Sequence, residues 1–291
     1  MAQLNIGSLL EPDWGRRRHE VVAWLDRLDP DIVCMQEVWQ DDRHQNTAAW
    51  LVDQQPAGRW SWCFGGFPAP AAFHPSPGFL FGSAILSRWT IAAHELFRLP
   101  GSDATTGNEW DAVELELLAA RTAGVDVFCT HLAPMPQRAP VRRQQVRFID
   151  ETVAAWRDAQ SPLPPVLCGD FNAEPDSDEV RFLCGLTSVD GRDTWWQEAW
   201  RAVEPVEPGF TQHPSNPYYA TFNLPPKRID YVFVGDTWLV RDVGEARNDS
   251  RPTTRGRVLG ASLAFHEPLT GTLASDHYGL VVDIGWPDRP V

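Results

Sequence analysis

Short β-rich runs punctuated by Gly, Pro and Asn dominate this chain, and clear helical periodicity surfaces in only a few places. Strand patterns fall at 3–8, 31–37, 60–65, 82–87, 91–97, 111–118, 125–131, 165–170, 229–234, 238–243, 258–265 and 278–285. Several are nearly unbroken apolar stretches, such as Asp31-Ile32-Val33-Cys34-Met35, which suit strands covered on both faces. Helical spacing joins Val21, Val22, Trp24, Leu25 and Leu28 within Arg17 to Leu28. It also joins Val146, Ile149, Val153 and Trp156 within Arg142 to Trp156. Asp176 or Ser177 is placed to cap a third helix through Val180 and Leu183. Many strands with few helices predict an α/β sandwich, two packed sheets flanked by helices. Neither an internal repeat nor a low-complexity linker interrupts the pattern, so a single domain over 1–291 is expected.

Polar clusters close several of these runs: Gln36-Glu37, Thr130-His131-Leu132, Gly169-Asp170-Phe171-Asn172, Arg228-Ile229-Asp230-Tyr231 and Ser275-Asp276-His277-Tyr278-Gly279. Taken singly, each has an ordinary explanation. Glu37 would be a solvated rim residue, His131 a satisfied core histidine, Asp170 and Asn172 an Asx turn, and Asp230 a partner of Arg228. Taken together, they read as a site that hydrolyses a phosphoester with a divalent metal. That reaction needs a cation to neutralise phosphoryl and leaving oxygens, a base for water, and a donor for the leaving group. Asn5, Glu37 and Asp276 supply hard oxygen ligands, which select magnesium or manganese over softer metals. Asp170 suits alignment or deprotonation of water, and strand alternation would bring Asn172 to the same side as a phosphoryl donor. His277, its charge supported by Asp230, would pair with His131 as a clamp on the phosphoryl group.

The ordered set of Asn, Gln-Glu, Thr-His-Leu, Gly-Asp-Phe-Asn, Arg-Ile-Asp-Tyr and Ser-Asp-His resembles the endonuclease/exonuclease/phosphatase superfamily over nearly the whole chain. That group includes deoxyribonuclease I-like nucleases and neutral sphingomyelinases. The resemblance implies a four-layer α/β sandwich and magnesium-dependent phosphoester cleavage. It places Asn5, Glu37 and Asp276 at metal positions and Asp170 at the water-orienting position. It also places Asn172 at a phosphate contact, His277 with its partner Asp230 in the final motif, and His131 at the histidine of nucleases and sphingomyelinases. The aromatic-rich segments 60–82 and 195–222 match no subfamily motif.

Charge bears on the substrate. A net charge of −14 opposes binding of long polyanions. This favours a small or lipid-like phosphoester, with a nuclease as the alternative and a non-catalytic binding module as the weakest reading. Arg138, Arg142, Arg143 and Arg147 form a basic group close to His131 that would serve a nuclease, whereas Arg16-Arg17-Arg18 reads as a solvated helix start. The five cysteines lack paired spacing and read as buried apolar residues. No run reaches the roughly 18 apolar residues of a membrane span, and the N-terminal residues lack signal-peptide character, so a cytoplasmic location is expected.

Overall fold

The computed structural model describes residues 1–70, 78–158, 160–235 and 256–286. Twelve strands among them form two six-stranded mixed sheets. The first sheet is built from β1 (Ala2–Asn5), β2 (Ile32–Gln40), β3 (Ser61–Pro68), β4 (Leu80–Ser87), β11 (Val258–Ala264) and β12 (Gly279–Ile284). Their order is β11-β12-β1-β2-β4-β3, with β1 and β2 parallel. The second comprises β5 (Ile91–Arg98), β6 (Glu116–Thr122), β7 (Val125–His131), β8 (Val166–Asp170), β9 (Trp196–Glu198) and β10 (Asp230–Gly235). Here the order is β5-β6-β7-β8-β10-β9, with β7 and β8 parallel.

Three apolar clusters explain why so many runs lack alternation. Ile32, Cys34 and Ile85 of the first sheet meet Leu118, Val127, Cys129, Cys168 and Val232 of the second. The outer face of the first sheet packs through Leu4, Val33 and Leu86 on Val21, Trp24 and Leu25 of α1 (Trp14–Leu28) and Leu51 of α2 (Thr47–Asp53). That of the second packs through Phe128, Leu167 and Phe233 on Val146, Ile149 and Val153 of α3 (Ala139–Trp156) and Val180 and Phe182 of α4 (Asp178–Leu183). Both sheets are therefore covered twice, giving helix, sheet, sheet and helix as four layers. Burying side chains of this size contributes about 1.5–3 kcal/mol each.

The structure moves some expected boundaries. The strand read at 111–118 begins only at Glu116, because Glu109–Ala112 forms a 3-10 turn in which the Asn108 side chain accepts from the Trp110 N–H. Ser177 does occupy the α4 N-cap, but its hydroxyl caps nothing. The patterns missed α2, whose N-terminus Asn46 caps by accepting from Ala48 and Ala49. They also missed α5 (Ala199–Val203), α6 (Pro217–Ala220) and the three-residue β9, all too short to show periodicity. The strand expected at 238–243 lies outside the described residues. Among those residues Cys34, Cys63, Cys129 and Cys168 are buried free thiols and Cys184 is partly buried.

Polar groups also run between the sheets. Gln3 Nε2 donates to Gln36 Oε1 at 2.8 Å and to Asp230 Oδ1 at 3.0 Å, and Gln36 Nε2 donates to Cys129 Sγ at 3.1 Å. Further along, Ser83 Oγ donates to Glu116 Oε1 at 2.6 Å. Burial lifts the Glu116 carboxyl to about 8, against which the Ser83 bond pulls only partly. Folding therefore takes up a proton at this residue between pH 4.5 and about 8. The associated stability is complete at acid pH and declines as pH rises through that window, by on the order of 4 kcal/mol in total. Compared with the wild type, Glu116→Gln should show a flatter fall of melting temperature between pH 5 and 8. Parallel pH curves for the two proteins would refute that assignment.

Candidate active site

All the polar clusters arrive at one rim because of strand direction. Parallel β1, β2, β7 and β8 reach that rim near their C-terminal ends, whereas antiparallel β10 and β12 begin there. In register, Asn5 lies beside Gln36, His131 beside Asp170, and Asp170 beside Asp230. The eight residues expected from the sequence, Asn5, Glu37, His131, Asp170, Asn172, Asp230, Asp276 and His277, are all brought to this rim.

Asp170 is the hub. Its Oδ2 accepts from Asn5 Nδ2 at 3.1 Å and lies 3.6 Å from His131 Nε2 and 3.7 Å from His277 Nε2. Its Oδ1 accepts from the Asn172 backbone N–H at 2.8 Å. Close backbone approach makes this possible: at Gly169, with φ of 153°, a Cβ would sit 1.9 Å from the Thr130 carbonyl oxygen. Asn172 reaches the site by a turn and not by strand alternation. The strand ends at Asp170, Asn172 adopts φ of 48°, and its Nδ2 donates to Leu132 O at 3.0 Å. The Asx turn and the site geometry are thus one arrangement, and the second Nδ2 proton remains for a ligand.

Glu37 is placed by local strain. Gln36 points between the sheets, so simple alternation would send Glu37 to the opposite face. A register shift between Met35 and Val38, with Glu37 at φ of 58°, turns its carboxylate to accept from Asn5 Nδ2 at 3.0 Å. The hydroxyl of Ser8 donates to the Glu37 carbonyl and holds the bulge. Asp276 accepts from Ser275 Oγ at 3.2 Å and lies 3.7 Å from His277 Nε2. A Cβ at Gly7, whose φ is 51°, would come within 3.1 Å of Asp276 Oδ1.

The two histidines differ electrically. His277 Nδ1 is 2.8 Å from Asp230 Oδ2. Burial disfavours its charge, but Asp230, Asp276 and Asp170 outweigh that and hold the imidazolium well above the ordinary range. Asp230 thus pairs with His277, and Arg228 instead joins Glu198 at 2.8 Å. His131 is pulled down to about 3 by burial and then by His277, so it is neutral. Its Nδ1 is buried without a hydrogen-bond partner among the described residues, which is not the satisfied core histidine of the bland reading.

The carboxyls are buried and crowded together, so the protein alone does not support their full ionisation. Glu37 is lifted to about 8 by burial and then by Asp276, and Asp170 to about 7 by burial and then by Asp230. Buried, crowded oxygen donors of this kind fit a hard divalent cation. One group of potential ligand atoms, from Asp170, Asp230 and His277, lies within 4.8 Å of one another. The oxygens of Glu37, Asp276 and Asn5 offer a second, all-oxygen set.

Sequence reasoning missed Gln212 and Gln3. Gln212 Nε2 lies 2.9 Å from His277 Nε2, in a segment with no motif to mark it. Gln3 grips the far oxygen of Asp230, and its spacing of two from Asn5 on β1 is the signal that could have found it. The basic group behaves differently from expectation. Arg142 is buried, donating to Glu179 and to the Ala133 and Met135 carbonyls. Arg138 bonds the Gly101 carbonyl, Arg143 faces Asp178, and Arg147 pairs with Glu151 and Asp190. Arg142 and Arg138 are engaged within the protein, whereas Arg143 and Arg147 are partly exposed and pair with exposed acids at the surface. Arg17 also departs from the solvated helix face: it is fully buried and donates to six backbone carbonyls. No helix among the described residues is long and apolar enough to cross a membrane.

Comparison with known proteins gives the same outline. The model of the endonuclease/exonuclease/phosphatase family matches residues 2–277. Protein angel of Drosophila melanogaster is 26% identical over 193 residues, 59% of this chain and 47% of that protein. The chain thus spans about half the length of that relative. The crystal structure of an endonuclease/exonuclease/phosphatase from Beutenbergia cavernae superposes with a TM-score of 0.67 at 22% identity, covering 98% of this chain and 71% of that one. Truncated TDP2 from Caenorhabditis elegans gives 0.65 at 18% identity, covering 98% and 96%. These structures share the fold, and the family is metal-dependent. A rim that gathers the motif residues and a family match over nearly the whole chain lead to one conclusion: the chain belongs to the endonuclease/exonuclease/phosphatase family.

Proposed function

We propose that the chain is a magnesium- or manganese-dependent phosphodiesterase acting on a small phosphoester. The observation that carries this is Asp170, held by Asn5 and Asn172 and within 4 Å of both histidines at a rim rich in uncompensated carboxylates. Glu37, Asp276 and the Asn5 amide oxygen would hold the cation. The Asp230–His277 pair is better spent on a proton, because Asp230 already occupies His277 Nδ1 and an imidazolium does not ligate. When bound, the cation polarises the phosphoryl group and stabilises the leaving oxygen. Asp170 orients the attacking water and takes its proton. The free Nδ2 proton of Asn172 and the neutral ring of His131 donate to the phosphoryl oxygens as charge builds there. His277 donates to the departing oxygen, with Asp230 keeping its ring aligned.

The acidic surface, and the pairing of Arg138, Arg142, Arg143 and Arg147 with the protein's own carboxylates or carbonyls, favour a small substrate over a polynucleotide. Purified protein should hydrolyse bis(p-nitrophenyl) phosphate, lose that activity by at least a hundredfold in EDTA, and regain it with magnesium or manganese. Chelator-insensitive turnover would refute the metal assignment. Plasmid nicking that outpaces diester turnover and falls steeply with salt would replace the small-substrate reading with a nuclease.

A further inference from the structure

Asp230 is held at both carboxylate oxygens, and both holds come from the opposite sheet. It opens β10 of the second sheet, whereas His277 stands just ahead of β12 in the first. Their 2.8 Å contact therefore spans the gap between the sheets. The other oxygen, Oδ1, accepts from Gln3 Nε2 at 3.0 Å. Gln3 lies on β1, directly beside β12, with Leu280 as its register partner. The same amide donates to Gln36, which in turn reaches Cys129 of the second sheet. The series Cys129, Gln36, Gln3, Asp230 and His277 thus crosses the gap repeatedly, and every member of it is buried.

Gln3 is the member that packing does not explain. Its register neighbour Cys34 belongs to the apolar cluster between the sheets, where an aliphatic side chain leaves no polar atom to satisfy. Gln3 Oε1, by contrast, is buried with no hydrogen-bond partner among the described residues. An unmet buried acceptor lowers stability. What the amide supplies against that is a donor for Asp230. A carboxylate only accepts, so the amide nitrogen must face it. The Thr211 hydroxyl accepts from the N–H groups of Ile229 and Asp230, which fixes the backbone but leaves the carboxylate free to turn. With one oxygen on the imidazole and the other on Gln3, it cannot turn without breaking a contact. Without the Gln3 donor, carboxylate and ring can swing together, and Nε2 loses its aim.

We propose that Gln3 is a positioning residue for the leaving-group proton, acting through Asp230 to aim His277 Nε2 at the departing oxygen. The inference rests on the phosphodiesterase reading above and assigns a residue that touches neither substrate nor cation. As the bond from phosphorus to the leaving oxygen breaks, its electron pair takes the Nε2 proton. His277 is left neutral, with its Nδ1 proton still on Asp230. A misaimed donor matters most where the leaving oxygen is basic and least where it departs as a stable anion.

The test compares methyl p-nitrophenyl phosphate with methyl phenyl phosphate, whose leaving oxygen is the more basic, using the full chain with magnesium. Gln3→Met should lower kcat about tenfold on the phenyl ester and only about twofold on the p-nitrophenyl ester, with KM unchanged on both. The magnesium concentration for half-maximal rate should stay that of the wild type, which separates the effect from a disturbed Asn5. In an Asp230→Asn background the same replacement should lose its selectivity for the phenyl ester, because residues acting as a unit are not additive. Melting curves check folding, and Gln3→Asn, one methylene too short for the contact, should repeat the pattern. A readout free of turnover is the downfield proton NMR signal of His277 Nδ1–H, identified by its loss in His277→Gln. It should be sharp in the wild type and broadened in Gln3→Met. Equal losses on the two esters, undiminished selectivity in the Asp230→Asn background, or an unaltered downfield signal would each overturn the proposal. Should the wild type hydrolyse neither ester, the phosphodiesterase reading fails, and the NMR comparison alone decides whether Gln3 aligns the pair.

Discussion

Asp170→Asn is expected to lower kcat on a phosphodiester by about a thousandfold, within the range of losses for a missing general base, while leaving the protein folded. The carboxylate is 2% exposed and lifted to about 7 by burial and the neighbouring Asp230. Removing its charge therefore relieves a desolvation cost. Against that stands a new donor–donor encounter between the introduced amide and Asn5 Nδ2, now 3.1 Å from Asp170 Oδ2. The two effects oppose each other, so the melting temperature should move by only a few degrees. The introduced amide oxygen can still accept from the Asn172 N–H, which keeps the turn intact. Steady-state kinetics beside a thermal melt make the measurement. A variant that keeps more than a tenth of the activity would remove Asp170 from the water-handling role and with it the proposed mechanism.

Arg17→Met should produce the largest loss of stability. The side chain is 0% exposed and donates to the carbonyls of Ile6, Gly7, Ser8, Glu11, Pro12 and Ala274. Methionine fills much of the space but leaves those acceptors without donors, at a cost of about 3–5 kcal/mol. In a chain of this size that corresponds to a melting temperature about 10 °C lower. Activity should fall too. The loop that Arg17 ties down carries Gly7, whose N–H donates to Asn5 Oδ1, and Ser8, which holds the Glu37 bulge, while Ala274 leads into Asp276. A shift under 2 °C would mean that water replaces these bonds, and that the guanidinium is not the organiser of this loop.

Arg17 shows where a linear reading stops. Helical periodicity placed the α1 core correctly, because Val21, Trp24 and Leu25 follow the period of a surface helix. Nothing in that period tells that Arg17 turns inward to serve carbonyls of the loop after β1 and of Ala274 ahead of β12. That arrangement depends on which loops the fold brings over the helix start. The rim was legible for the opposite reason. Asn5, His131, Asp170 and Asp230 sit at strand ends or strand starts, Glu37 on the bulge inside β2 and Asp276 just ahead of β12, and sheet geometry converts strand position into spatial proximity. Gln212 escaped because it comes from an irregular segment with no period, and its 2.9 Å approach to His277 exists only in three dimensions. Glu37 reaches the rim by a bulge that alternation does not supply, since alternation alone would point it away.

The rim straddles both sheets. Asn5, Glu37, Asp276 and His277 belong to the first sheet or its edge, and His131, Asp170 and Asp230 to the second. The first sheet in turn is closed by β1 pairing with β12, strands from opposite ends of the chain. Residues far apart in sequence therefore share one rim, and the carboxylates can meet only once both sheets have formed and packed.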